Sequence, residues 1–387
     1  MKKVRLSYLR WLALAVLFSF VLFASISSEI GEWYALFLYP SISKILSAIA
    51  SVVPFSLDEW AVLTFVFLLI GYPFYARIRK QKRWRSVVGG EVEILLWVYV
   101  WFYWGWGMNY YRKNFYQRAE LKPAVYDEGR FHAFLDTFTV ELNQAYEECM
   151  KEEWAHSPLL FKPMLDVSEN ILSDSSNLSA SISSFLLSDV HREIKRIYRI
   201  VPAKYGLTFP ALFQYPKYSS FNSLYSNVGV LGFMGPFFAE SHVNHELTVL
   251  EYPFTYAHEL SHLLGISSEA EANLWAYTVC IESVNPLIRF SGYLGLLSYV
   301  RSNAYRLLSP TEFDSWESSL SPDILATFYR VHAYWALRYN PFLGEIQSSI
   351  YSFYLKRNKI SSGQKNYAQV VGMLLALPDF KVSLSED

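Results

Sequence analysis

The sequence predicts a mainly α chain in which N-terminal transmembrane helices precede a soluble α+β domain with a small sheet. Three observations carry this: apolar stretches of span length before residue 112, helical periodicity through most of the remainder, and one Tyr-, Phe-, Ser- and Gly-rich region of extended character. At 387 residues the chain exceeds the size at which a single core stops growing, about 250–300 residues. Two domains are therefore expected, 1–111 in the membrane and 112–387 outside it. Hydrophobic residues at 52% against 18% charged residues point to lipid as a partner. A formal net charge of −1 leaves no basic field for nucleic acid. The two cysteines, Cys149 and Cys280, lack paired spacing and read as buried free thiols rather than a thiolate site.

The membrane part has three stretches suited to crossing, 11–28, 60–76 and 94–111, where a helix of about 20 residues is needed. The first follows Lys2, Lys3, Arg5 and Arg10 but lacks a small-residue cleavage site, so it reads as an uncleaved anchor. A fourth stretch, 42–55, carries Lys44 and several serines and ends near Pro54, which suits an amphipathic helix at the interface. Arg77, Arg79, Lys80, Lys82, Arg83 and Arg85 lie between the second and third crossings, which places that loop and the N-terminus in the cytoplasm. Three crossings then make 112–387 extracytoplasmic or periplasmic. A crossing by 42–55 as well would reverse that side.

Beyond residue 111, segments 131–154 and 181–200 repeat apolar positions at helical spacing. Segment 205–250 is broken by Pro210, Pro216 and Pro236, and the small sheet is expected there, with 239–250 extended. Segment 285–308 is apolar enough to resemble a crossing, but Arg289 and Arg301 mark it as a buried helix.

Chemistry concentrates in His258-Glu259-Leu260-Ser261-His262. Residues four apart on a helix lie one turn above each other, so both imidazoles face one point with Glu259 beside them. Zinc takes two imidazoles and a carboxylate and keeps a fourth position for water, which the adjacent Glu can deprotonate. Glu269 and Glu271 are the choices for the carboxylate. Gly265 can end the first helix in the left-handed conformation, and Ser268 with Glu271 matches a capping box opening the next. That frame turns Glu271 back to its own backbone and favours Glu269, with Asn273 one turn on as a residue that steadies a ligand. The expected activity is peptide-bond hydrolysis of a peptide or protein substrate with one Zn2+ ion. The alternative is a non-catalytic zinc-binding membrane sensor or scaffold.

The segment resembles the gluzincin zinc peptidases, in which HExxH is followed by a Glu with an Asp or Asn four residues on, here Glu269 and Asn273. The chain also resembles an uncharacterised bacterial membrane family of unknown function. The likeness rests on the three spans, on Pro253-Phe254-Thr255, on the Glu269-x-Glu271-Ala272-Asn273 phrase, and on a C-terminal stretch with Tyr354-Leu355-Lys356 and 363–371. The separation of His262 from Glu269 is shorter than in most gluzincins and nearer the metzincin spacing, although no third His follows. The resemblance implies a zincin-like soluble domain whose strand 239–244 pairs with the substrate backbone, putting His242 and Asn244 near substrate. It also implies a tyrosine at the oxyanion, for which Tyr277 and Tyr367 are the candidates.

Overall fold

The computed structural model describes residues 2–125, 127–152, 161, 177–357 and 369–384, without the side chains of 2–7, 177–187, 350–357 and 369. The fold is mainly α with one three-stranded sheet and N-terminal apolar helices, the class the sequence predicts. It divides into two compact units. The first comprises Met1–Lys113, Ala211–Ser220 and Met234–Glu240, and the second holds Asn114–Pro210, Phe221–Phe233 and Ser241–Asp387.

In the first unit, α1 (Lys2–Ile26), α2 (Ser28–Ala50), α3 (Leu57–Arg79) and α4 (Trp84–Gly105) are each long and apolar enough to cross a membrane. Ser27 caps α2 by accepting from the Ile30 N–H, and Pro40, which has no N–H to donate, follows a turn of π-helix at Tyr34–Leu38. Ser56 caps α3, with Asp58 and Glu59 in its first turn. The sequence suggested a short helix at 42–55; the structure extends that helix back to Ser28 and ends it at Ala50. The last apolar helix begins at Trp84 and stops at Gly105, earlier at both ends than 94–111. Near its start Gly90 lies against Tyr72, and Glu93 pairs with Arg10 at 2.5 Å. Its end is set where a Cβ on Gly105 would meet the Pro236 carbonyl at 2.6 Å and Trp106 leaves helical geometry.

The first unit also buries Asp58, Glu59 and Glu240. The Asp58 carboxylate accepts from the Phe237 and Phe238 N–H groups, 2.7 and 3.1 Å. Glu240 accepts from Lys217 at 2.6 Å and from the Asp58 N–H at 2.8 Å. Glu59 accepts from the Ser219 hydroxyl and from the Ser220 N–H. Two chain segments distant in sequence are thereby fastened to the start of α3.

The second unit is built from α5 (Phe115–Arg118), α6 (Glu128–Met150), α7 (Asn177–Tyr198), α8 (Asn222–Asn227), α9 (Tyr252–Leu263), α10 (Glu269–Ile281), α11 (Pro286–Leu307), α12 (Pro310–Glu317), α13 (Pro322–Ala336), α14 (Pro341–Arg357) and α15 (Gln369–Ala376). At its centre α10 is buried over every residue from Glu269 to Cys280 and packs on α9 and α11, while α11 packs on α6. Strands β1 (Lys217–Tyr218), β2 (Gly232–Gly235) and β3 (Glu240–Val243) are ordered β1-β3-β2. Cys149 and Cys280 are buried free thiols.

Candidate metal centre

A tight reversal brings α10 back against the end of α9. Gly265, at φ +96°, takes the left-handed conformation that a glycine adopts without cost, and its N–H donates to the His262 carbonyl at 3.0 Å. Ser268 caps α10 through the Glu271 N–H at 3.4 Å, which makes Glu269 the first helical residue.

This geometry gathers three ligand atoms. His258 Nε2 stands 3.1 Å from His262 Nε2 and 3.2 Å from Glu269 Oε2, and His262 Nε2 is 3.5 Å from the same oxygen. Ligands about 2.0–2.1 Å from a tetrahedral zinc are themselves about 3.3 Å apart, so the three atoms form one face of such a site. The remaining ring nitrogens fix the tautomers: His262 Nδ1 donates to the Ile266 carbonyl at 2.7 Å and His258 Nδ1 to Asn273 Oδ1 at 3.0 Å. The two Nε2 atoms then face each other and Glu269 Oε2, and these are the three atoms a common cation would take.

Glu259 is buried beside this cluster, and among the described residues its Oε2 has no protein partner. Burial pushes its carboxyl up to about 7, against the pull of His258 and His262. Burial alone would lower His262, but Glu269 outweighs it and raises the imidazole to about 9. Glu269, whose burial would raise it, is held well below the usual carboxylate range by His262 and His258. For the protein groups alone, the cluster is a place where positive charge is favoured. A divalent cation fits this donor set, and the unpartnered Glu259 oxygen fits a group that handles a water.

Glu271 does not return to its own backbone as the capping frame suggested. Its carboxylate takes the Arg118 guanidinium and the Trp275 indole N–H, the latter at 3.0 Å, in a buried pair. The chain supplies Arg118 from a distant turn, and nothing in the local pattern announces it. A second group, Glu128, His132 and Glu312, is largely exposed, and Glu312 is committed to capping Ser309.

The other expected residues fall elsewhere. Tyr277 packs its ring with Phe138 and Tyr293 in the helical core, since eight helical residues turn it about 80° from Glu269. Tyr367 lies outside the described residues. His242 is fully buried with its ring flat on Phe233, centroids 4.2 Å apart. Asn244 bonds to Ser226, Asn222 and the Val230 carbonyl, which ties down the end of β3. The expectation that 239–244 pairs with a substrate is corrected by the strand order: β3 is the middle strand, with both edges taken. The edge strand on one side is β2, and it passes so close to Glu259 that a Cβ on Gly232 would lie 2.6 Å from Glu259 Cγ.

Sequence reasoning missed Tyr299 of α11. Burial pushes its hydroxyl up to about 12, with the adjacent Asn273 amide opposing and the Glu269 charge adding. Tyr299 also lines a cavity of about 330 Å³ with Leu231, Leu250, Phe254, Phe328 and Trp335. Glu251, Thr255, His258 and His262 fall on one face of the helical turn that runs through α9, and the first two line the cavity. The cavity therefore sits one turn before the histidines. Within it Glu251 is saturated by Thr248 and Trp335, so the lining is effectively apolar.

Apolar helices of span length and a buried His-His-Glu cluster define a membrane-associated helical protein with a candidate metal centre. The chain belongs to the DUF3810 family, described as a protein of unknown function, whose model matches residues 34–375. No curated protein and no solved structure matches it.

Proposed function

We propose that the protein is a membrane-anchored zinc-dependent peptidase in which His258, His262 and Glu269 hold one ion and Glu259 is the general base. The observation that carries this reading is the set of three ligand separations, 3.1, 3.2 and 3.5 Å, with both histidine tautomers set by their other nitrogen. A zinc ion held there supplies a Lewis acid and brings the pKa of its water to about 7. Glu259 stands where it would take a proton from a water as the water oxygen bonds to the peptide carbonyl carbon, and would pass that proton to the amine nitrogen as the C–N bond breaks. The Tyr299 hydroxyl, beside Asn273, donates to the oxygen that becomes negative. The peptide runs along the outer edge of β2 near Gly232 and sends a bulky apolar side chain into the cavity lined by Phe254 and Leu231. Crossings by α1, α3 and α4 keep Lys80–Arg83 on the side of the N-terminus and put the domain after Gly105 on the extracytoplasmic or periplasmic side.

The test is cleavage of a peptide library by the full-length chain in detergent micelles. Glu259→Gln is expected to keep its zinc and to lose about 10²- to 10⁴-fold in rate, the usual contribution of a general base. Unchanged function in cells with Glu259→Gln would favour the non-catalytic sensor or scaffold.

A further inference from the structure

Although α2 is as long as a crossing helix, both of its ends lie at one end of α4. Near its start, Tyr34 donates to the Trp104 carbonyl at 2.7 Å and Glu32 pairs with Arg112 at 2.8 Å. At its finish, Ser47 donates to the Ala239 carbonyl at 2.6 Å and Lys217 to the Ala50 carbonyl at 2.7 Å. The segment holding Ala239 is fixed to the same end of α4, because Trp101 donates to the Phe237 carbonyl at 2.9 Å. The opposite end of the α3–α4 pair, with the basic run around Lys80, is about 33 Å away along either helix. A crossing helix would put one end there, and α2 puts neither.

We infer that α2 lies flat in the lipid surface on the side where α4 ends, and that the 211–216 loop lies beside it as a second lipid-facing segment. The inward face of α2 carries Tyr39, Ser43, Ser47 and Ala50, all buried, while Phe37, Ile45 and Ile49 point outward. Gln214 fastens the loop to α2 by donating to Ser47 at 3.0 Å, and this leaves Leu212 70% and Tyr215 54% exposed. The crossing helix α3 is likewise exposed along apolar side chains, with Phe67 outward. Lys44, the one charged residue between Trp33 and Leu57, is exposed and long enough to reach the headgroups. An outward apolar face with one snorkelling lysine matches a phospholipid interface and makes the crossing number three. The inference does not depend on the metal centre.

The test is a depth profile of the full-length chain in phospholipid vesicles. Nitroxide labels are attached at Phe37→Cys, Ile45→Cys, Ile49→Cys and Leu212→Cys, all exposed positions, and at Leu68→Cys in α3 as the deep reference. Labelling of the unsubstituted chain gives the background from its buried thiols. The four interfacial labels are expected at one shallow depth, about 5–10 Å into the headgroup and acyl boundary, with Leu68 near the bilayer centre. A depth that changes by about 18 Å from position 37 to position 49 would show a crossing and overturn the inference. A label at Leu212 as open to water-soluble relaxants as free nitroxide would overturn the part concerning the loop.

Discussion

The two units each bury a cluster of carboxylates, and the clusters differ in how completely their oxygens are satisfied. At the start of α3, both oxygens of Asp58, Glu59 and Glu240 accept from a named N–H, hydroxyl or ammonium group. Around α9 and α10, two imidazoles aim lone pairs at one spot shared with Glu269, and Glu259 keeps a buried oxygen without a partner among the described residues. Buried polar groups are ordinarily satisfied, because an unmet one costs about 1–3 kcal/mol. The first cluster is complete as a fastening; the second keeps a buried oxygen that a water on the proposed cation would meet. Glu271 repeats the contrast within one helix, two residues from Glu269 but with its Oε1 held by Arg118 and Trp275.

Five substitutions sharpen or break that contrast. The largest effect is expected from Glu259→Gln set against Glu59→Gln. The first lowers peptide cleavage about 10²- to 10⁴-fold at unchanged zinc content, while the second leaves the rate within a few-fold and shows only as lower thermal stability. Equal losses in both would erase the distinction. Next, Glu271→Gln leaves the Arg118 charge buried without its partner and is expected to cost about 3–5 kcal/mol in denaturant unfolding, with zinc still bound. Loss of zinc in that variant at intact stability would move the third ligand from Glu269 to Glu271.

A smaller change follows Asn273→Ala, which frees His258 Nδ1 and should weaken zinc binding about 10- to 100-fold in a competition titration with a chelating dye. The smallest concerns His191 of α7, which meets the Tyr252 hydroxyl at 2.7 Å. Burial, aided by Lys195, pulls its pKa down from 6.5 to about 3. The unfolded chain therefore binds the proton that the folded chain refuses. Stability is full above pH 6.5 and falls by about 1.4 kcal/mol per pH unit as acid is added toward pH 3. Replacing His191 with Leu should flatten the slope between pH 6.5 and 5 relative to the unsubstituted chain. An identical slope would assign the acid loss to other groups.

What could be read from the sequence was local. The reversal between α9 and α10 follows from Gly265 and Ser268, which act on their own backbone, and Glu269 faces the histidines because of that reversal. Arg118 and Tyr299 were not legible, since helix packing alone brings them from 140 or more residues before and 37 or more residues after the two histidines. Tyr277 was chosen by counting turns, and the residual rotation carries it into the core with Tyr293. The strand expected to meet substrate was placed by its extended character, but character does not reveal which strand of a sheet lies at the edge. The extent of α2 was hidden because only 42–55 was read as its apolar stretch, whereas the helix starts at Ser28, where Glu32 is paired with Arg112 and accepts from the Lys113 N–H.

The most direct measurement is zinc content by elemental analysis of the full-length chain, purified without metal-affinity resin, alongside His258→Ala, Glu269→Gln and Glu59→Gln. One zinc per chain is expected in the unsubstituted protein and in Glu59→Gln, with almost none in the other two. Zinc content that is unaffected by His258→Ala, or absent from all four, would contradict a metal centre at the meeting of α9 and α10.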